Sequence, residues 1–296
     1  MKSFLTDKNL LVQDGANFSL ANYSTNYSGS ITSDKEAEKL LVNANKEMAK
    51  LQNKLYATDN HSVLLVFQAM DAAGKDSTIR SVFSGVNPTG FQVSSFKAPS
   101  KNELDHDFLW RCNLALPERG RIGIFNRSHY EEVLVCKVHP EYVLGQNIPS
   151  IKTLNDIDEH FWQMRYKSIR NWEKHLAASG TLILKFFLNV SKDEQKARFL
   201  SRIEETKKNW KFSFGDLKER ARWYDYMNAY QDAITNTADE DAPWYIIPAD
   251  NKPIMRAMVA SIVAEALSKL NIKYPSVGQK ELEEMKQAKE ILENES

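Results

Sequence analysis

The sequence predicts an α/β protein built on a doubly wound parallel sheet with helices on both faces. Three observations point there. Five runs rich in β-branched and aromatic residues lie at positions 62–69, 91–96, 121–126, 181–190 and 244–249, and most are apolar on both faces, as buried parallel strands must be. Segments with helical apolar spacing separate them, at 75–83, 103–113, 128–135, 156–178, 192–206 and 214–235. Polar residues, Asp71, Lys97 and Asn126, stand at the ends of three different runs. Sheets of this kind bind ligands beyond the carboxyl ends of their strands.

The flanking elements follow in chain order. Residues 1–32 are polar and without periodicity, and read as an arm over the surface or a partly disordered one. Ser33 with Glu36 three residues later has the form of a capping box. The helix it opens carries Ala37, Leu40, Leu41, Ala44, Met48, Leu51 and Leu55 at helical spacing. Pro253 opens a last helix that reaches about Leu270. The charged tail at 276–296 reads as a solvated amphipathic helix or a docking arm. One domain over 33–275, with a lid at about 192–225, is the expected organisation.

The chain has 296 residues, 42% hydrophobic and 26% charged, as in an ordinary soluble protein. That length can bury a core without covalent staples. Lys and Arg number 39, and so do Asp and Glu, so no global field attracts a polyanion. An anion site must come from local clustering, and nucleic acid is not an expected partner. Cys112 and Cys136 form neither a disulfide framework nor a metal set, which fits buried thiols in a reducing compartment. No apolar stretch of about 18 residues exists, and the N-terminus lacks a signal pattern. No membrane partner and a cytoplasmic location are therefore expected.

The first candidate site element is Met70-Asp71-Ala72-Ala73-Gly74-Lys75-Asp76, between a strand and a helix. Small residues there let backbone N–H groups approach phosphate oxygens, and the helix N-terminus adds a favourable field. Lys75 would act as a point charge against the phosphate, with Ala72, Ala73, Gly74, Asp76, Ser77 and Thr78 forming the cradle. The nucleotide-loop pattern G-x-x-x-x-G-K-[ST] is broken at both ends, by Ala69 and by Asp76. A phosphate loop and a plain helix-start turn both stay open on the pattern alone. A carboxylate at Asp71 would repel a bare phosphate. It makes sense as a ligand of Mg²⁺, which takes one or two carboxylates and completes its shell with water and phosphate; the alternative is a turn cap.

Two further elements have the same flavour. A strand ends in Asn126-Arg127 and a helix follows with Glu131 and Glu132 in its first turn. Glu131 could restore the charge that Asn126 lacks, and helix-dipole compensation is the alternative for both acids. His129 reads as structural. The third element is cationic: Arg198 and Arg202 share one helical face, Lys207, Lys208 and Lys211 follow, and Lys218 and Arg222 repeat the spacing. Interleaved aromatics and a turn at 211–215 suggest a mobile lid, with a solvated charged face as the alternative. An arginine brought onto a transferring phosphoryl group is worth about 10³–10⁵ in rate.

These stretches, with Ser84-Gly85-Val86-Asn87-Pro88, Ser95-Phe96-Lys97-Ala98-Pro99-Ser100, Phe125-Asn126-Arg127-Ser128, Tyr130-Glu131-Glu132-Val133-Leu134, Val138-His139-Pro140-Glu141 and Ala242-Pro243-Trp244-Tyr245, resemble the family-2 polyphosphate kinases, most closely their class III branch. The likeness spans about residues 30–270. It implies a P-loop kinase-like fold similar to thymidylate kinase, with a five-stranded parallel sheet and a helical lid. It implies Mg²⁺-dependent phosphoryl transfer from inorganic polyphosphate to AMP and ADP, with Mn²⁺ as a possible substitute, in a homo-oligomer (dimer or tetramer). Under the resemblance Asp71 is the loop acid that holds the metal, Lys75 the loop lysine and Arg127 the arginine after the second strand end. Asn126 stands where other branches carry Asp, Glu131 matches an acid linked to use of AMP, and Arg198 and Arg202 match lid arginines. Lys208, Lys211 and Arg222 would extend a track for polyphosphate. The nucleotide would lie near Asn87, Pro88, Lys97, Ala98, Pro99 and Arg127. An ATP-dependent nucleoside monophosphate kinase and a non-catalytic polyanion-binding module are the competing readings.

Overall fold

The computed structural model describes residues 3–295. Its sheet has strands β1 (Leu11–Val12), β2 (Ser62–Gln68), β3 (Phe91–Ser95), β4 (Ile122–Asn126), β5 (Thr181–Asn189) and β6 (Trp244–Pro248). They lie in the order β1-β6-β5-β2-β4-β3. Strands β2 to β6 run parallel. The helices are α1 (Asp34–Thr58), α2 (Lys75–Val82), α3 (Lys101–Leu104), α4 (Trp110–Asn113), α5 (Val135–Val138), α6 (Glu141–Leu144), α7 (Glu159–Ala178), α8 (Lys192–Glu204), α9 (Phe214–Ala221), α10 (Trp223–Thr237), α11 (Lys252–Lys269) and α12 (Gln279–Glu293).

The five expected strands are present within two residues of their predicted bounds. Strand β2 is buried along its whole length because it is central, with β4 and β5 as neighbours. On one face α7 and α10 pack together, and Lys185 and Phe187 of β5 point toward them. On the other, α11 packs against α1, β5 and β6. Most of α11 is buried, which explains why it is apolar nearly all round.

Several expectations need correction, among them the helix expected over 128–135, which is a 3-10 turn at His129–Glu132 followed by α5. The arm is neither loose nor merely laid over the surface: Leu11 and Val12 pair antiparallel with Tyr245 and Trp244 and add a sixth strand. Phe4, Leu5, Leu10 and Val12 are buried, and the Tyr245 hydroxyl donates to Leu5 O at 3.1 Å. The helix expected over 103–113 is two short ones, because Asp107 accepts the Leu109 N–H and starts a new turn. The lid helix breaks at Arg222, whose backbone leaves the helical region between α9 and α10. The Ser33 cap forms half its box: Ser33 Oγ accepts the Glu36 N–H at 3.2 Å, but the Glu36 carboxylate takes the Thr32 N–H instead. Helix α12 is exposed throughout. No helix of the described residues is long and apolar enough to cross a membrane.

A charged network lies inside the core. Lys185 Nζ donates to Glu173 at 2.6 Å, to the Tyr130 hydroxyl at 3.0 Å and to Thr237 O at 2.8 Å. His129, read as structural, completes it at 3.2 Å from Glu173. Burial would raise the Glu173 carboxyl, but Lys185 and His129 outweigh it and hold the group below its ordinary range. Both cysteines are free and buried, and burial pushes the Cys112 thiol up to about 12. Breaking a buried pair by removing one partner costs about 3–5 kcal/mol. Lys185→Met should therefore lower the urea midpoint by that equivalent with the denaturant slope unchanged.

Candidate active site

The chain leaves β2 at Gln68 and must reverse into α2 within a few residues. Gly74 caps α2 at φ +108°, a conformation that an L side chain strains to adopt. Two of the five non-glycine residues that take the left-handed region among the described residues stand here: Ala72 at φ +61° and Arg127 at φ +64°. They follow β2 and β4, neighbours whose register sets Phe67 beside Asn126. Such strain persists only where surrounding contacts over-determine it.

Those contacts are visible. Arg127 Nη2 donates to Asp71 Oδ1 at 3.1 Å, and its Nη1 lies 3.9 Å from Glu131 Oε2. Burial works against the Arg127 charge, but Glu131 and Asp71 more than restore it and hold the guanidinium protonated. Burial raises the Glu131 carboxyl above its ordinary value, against the pull of Arg127 and Lys75. Lys75 Nζ donates to Ala69 O at 2.8 Å, and burial lowers its ammonium. Asn126 Nδ2 donates to Asp76 Oδ1 at 2.7 Å. Arg198 is buried against the loop backbone: its Nη1 donates to Ala73 O at 2.7 Å and Ala72 O at 3.2 Å, and its Nη2 to Ala249 O at 2.6 Å. Its Nε bonds Glu194 at 2.7 Å. It holds the loop to the end of β6 and presents no unbonded edge. Gln195 adds a bond from Nε2 to Asp71 O at 2.9 Å.

Two clefts meet here. The first, about 580 Å³, is lined by apolar residues from Phe96 to Tyr230 and by six acids against three basic residues, Lys97, Arg111 and Arg127. The second, about 1110 Å³, carries ten Lys and Arg against two Asp, so the charge sign of the two clefts is opposite. Both touch Asp71, Phe96, Lys97, Ala98 and Arg127.

The sequence-derived residues divide accordingly. Pro99 and Glu131 line the first cleft. Ala72, Ala73, Gly74, Lys75, Asp76 and Ser77 line the second, as do Asn126, Arg198, Arg202, Lys208 and Lys211. Thr78 is buried beneath, its hydroxyl against the Met255 sulfur at 4.0 Å. Asn87 and Pro88 line neither cleft; Asn87 Oδ1 instead caps a short turn by accepting the Thr89 N–H. Arg222 is also outside, with Nη1 3.2 Å from His139 Nδ1 and Nε donating to Asp225 at 3.2 Å. Arg202 is paired with Asp216 at 3.3 Å. Sequence reasoning missed Asp216, whose carboxyl is raised by burial and then by the nearby Asp71 charge. It also missed Gln195 and the cations Arg80, Lys252 and Arg256. Lys252 and Arg256 carry the four-residue spacing that flagged Arg198 and Arg202, and that signal was there to be read.

Among the described residues no three His, Cys, Asp or Glu side chains gather to cage a metal. The donor set at the clefts' junction is one loop carboxylate, Asp71. That fits Mg²⁺, which keeps waters and takes substrate phosphates rather than an all-protein cage.

A protein-family model described as Polyphosphate kinase 2 (PPK2) matches residues 31–275. The chain belongs to the polyphosphate kinase 2 family. A relative from Rhodopseudomonas palustris, named ADP-polyphosphate phosphotransferase, is 49% identical over 283 residues, covering 95% of this chain and 97% of its own. One from Meiothermus ruber, named AMP/ADP-polyphosphate phosphotransferase, is 43% identical and covers 90% and 95%. The crystal structure of Polyphosphate Kinase 2 from Arthrobacter aurescens superposes with a TM-score of 0.84 at 37% identity, over 93% of each chain. For this polyphosphate kinase 2 chain the α/β fold expected from the sequence holds, with the sheet mixed and six-stranded rather than five-stranded and parallel.

Two outcomes follow from the geometry. The Glu131 carboxyl ionises near 4.5 in the unfolded chain and higher in the fold, so stability falls as pH rises through that window. Glu131→Gln should therefore melt higher than the parent at neutral pH, with the difference shrinking toward the ordinary carboxylate pKa, as differential scanning across pH will register. Arg198→Lys keeps the charge but cannot span carbonyls from two segments. It should lower both the melting temperature and the transfer rate.

Proposed function

We propose that the protein transfers a phosphoryl group from inorganic polyphosphate to AMP and to ADP, forming ADP and ATP, with Mg²⁺ (or Mn²⁺ in its place) held at Asp71. One observation carries this reading: a partly apolar, acidic cleft and a strongly cationic cleft meet at the Asp71–Arg127 contact. The first suits a base and ribose, with one phosphate reaching Arg127. The second suits a linear polyanion and would repel little of it. The names of the two relatives supply the substrates.

The chemistry is an in-line displacement. An acceptor phosphate oxygen attacks the terminal phosphorus of polyphosphate, and the bond from that phosphorus to the next bridging oxygen breaks. The shortened polyphosphate leaves with the electron pair. The acceptor is already ionised at neutral pH, so no strong general base is needed. Alignment and neutralisation do the rest. Lys75 and Arg127 face the moving group, and Asn126 engages Asp76 by donating to its carboxylate. Arg198 acts by fixing the loop. Arg202 lines the donor cleft while paired with Asp216 at 3.3 Å, so part of its charge is already answered within the protein. A bound Mg²⁺ would supply positive charge between the two anionic reactants. Lys208 and Lys211 line the donor side.

Pure protein, AMP, Mg²⁺ and long polyphosphate should give ADP and then ATP, with no product when polyphosphate is omitted. Product formed only with ATP as donor would overturn the reading. Asp71→Asn should lower transfer by about 10²-fold or more, the usual scale for losing one electrostatic element of a transition-state site. Lys208→Ala with Lys211→Ala should raise KM for polyphosphate, more at low salt than at high, and leave KM for AMP unchanged.

A further inference from the structure

The cationic cleft continues past the phosphate loop. Its far wall is made by α2 and α11, which pack on each other with Met255 at the contact. Lys252 and Arg256 flank Met255 and share one face of α11, being four residues apart. Arg80 also lines the cleft, from α2. It stands five residues beyond Lys75, roughly 7.5 Å further along the helix axis.

Among the described residues these three cations have no ion-pair partner within 4.0 Å. Arg256 Nε is buried with no hydrogen-bond partner among the described residues. Burial, and then the charges of Arg80 and Arg198, push its guanidinium down. The acids nearest in effect to Lys252 are Glu194 and Glu205, and they are bonded to Arg198 and Lys208. Buried charges are normally paired. Lys252 and Arg256 are half-buried and Arg80 is exposed beside them, so the three make a patch of one sign on the cleft wall that an anion from outside would complete.

Resting on the reading of this cleft as the donor side, we infer that Arg80, Lys252 and Arg256 form a second phosphate subsite that holds the trailing phosphates of polyphosphate and favours long chains. The subsite is removed from the reacting phosphorus, so it contributes to binding rather than to the rate of transfer. The shortest donors reach it least. Lys252 and Arg256 on one wall and Arg80 on α2 would follow successive phosphates of a chain leaving the loop.

Full-length protein carrying Arg80→Gln and Arg256→Gln together tests this, with AMP and Mg²⁺ against long polyphosphate and against tripolyphosphate. The KM for the long chain should rise about tenfold, the scale for losing two partly exposed charge contacts, while that for tripolyphosphate rises less than about twofold. The kcat at saturating donor should hold, since the lost contacts are equal in ground and transition states. Thermal melting in EDTA gives a second readout. Without ligand the double variant should be at least as stable as the parent, and long polyphosphate should raise the parent's midpoint more. Lys252→Gln alone should show the same pattern at smaller size and serves if the double variant folds poorly. An equal rise in KM for both donors, or no rise for the long one, overturns the subsite. A parent protein that neither turns over nor is stabilised by polyphosphate removes the donor reading itself, which is a distinguishable result.

Discussion

The contact between Asp71 and Arg127 is the constraint around which the rest is arranged. It exists because β2 and β4 are parallel neighbours in register, so the residues that follow them emerge side by side. Both strand ends then turn through left-handed backbone, at Ala72 and Arg127, and the bonds from Arg198 and Gln195 keep the first of these turns in place. The result is a short wall with an acid and a base on it. On one side the surroundings are acidic and partly apolar, and on the other strongly cationic. On the proposed function, opposite charge across one side-chain pair would give nucleotide and polyphosphate separate ways in.

How much of this was legible in the sequence depends on what each residue needed to reveal it. The strand at β2 was plain, because an apolar run of that length bounded by small residues reads as a buried strand, whereas the broken glycine pattern after it left a phosphate loop and a helix-start turn both open. The division of 103–113 was not, since it turns on one Asp107 side chain competing for backbone N–H groups. Arg198 and Arg202 looked equivalent by spacing. In the fold one is enclosed by carbonyls and the other faces Asp216, a distinction that helical periodicity does not carry. Arg222 matched the same pattern and turned toward His139, because the helix breaks at that residue. Asn87 reads as a ligand residue in the sequence, whereas in the fold its side chain caps a turn by accepting the Thr89 N–H. The arm hid its strand because two residues show no period.

Buried charge is used in two ways. Around Lys185 the ionised groups find partners within the core, and the network ties β5 to α7 and α10. Around Glu131 and Arg256 the accounts do not balance within the protein: one carboxyl is raised by burial, one guanidinium nitrogen has no acceptor. Sites that break local rules in this way are where function is expected to have a claim on the structure.

The pairing of β1 with β6 also bears on the order in which the chain can mature. Leu11 meets Tyr245, so β1 leaves the ribosome well ahead of β6, the strand it pairs with. At about 5–20 residues added per second, that leaves Phe4, Leu5 and Leu10 without their final packing for roughly 10–50 s. During that time the nascent arm is an apolar segment with free backbone groups, the kind of surface that holding chaperones bind. The arm's polar composition after residue 12, rich in Asn and Ser, keeps that segment short.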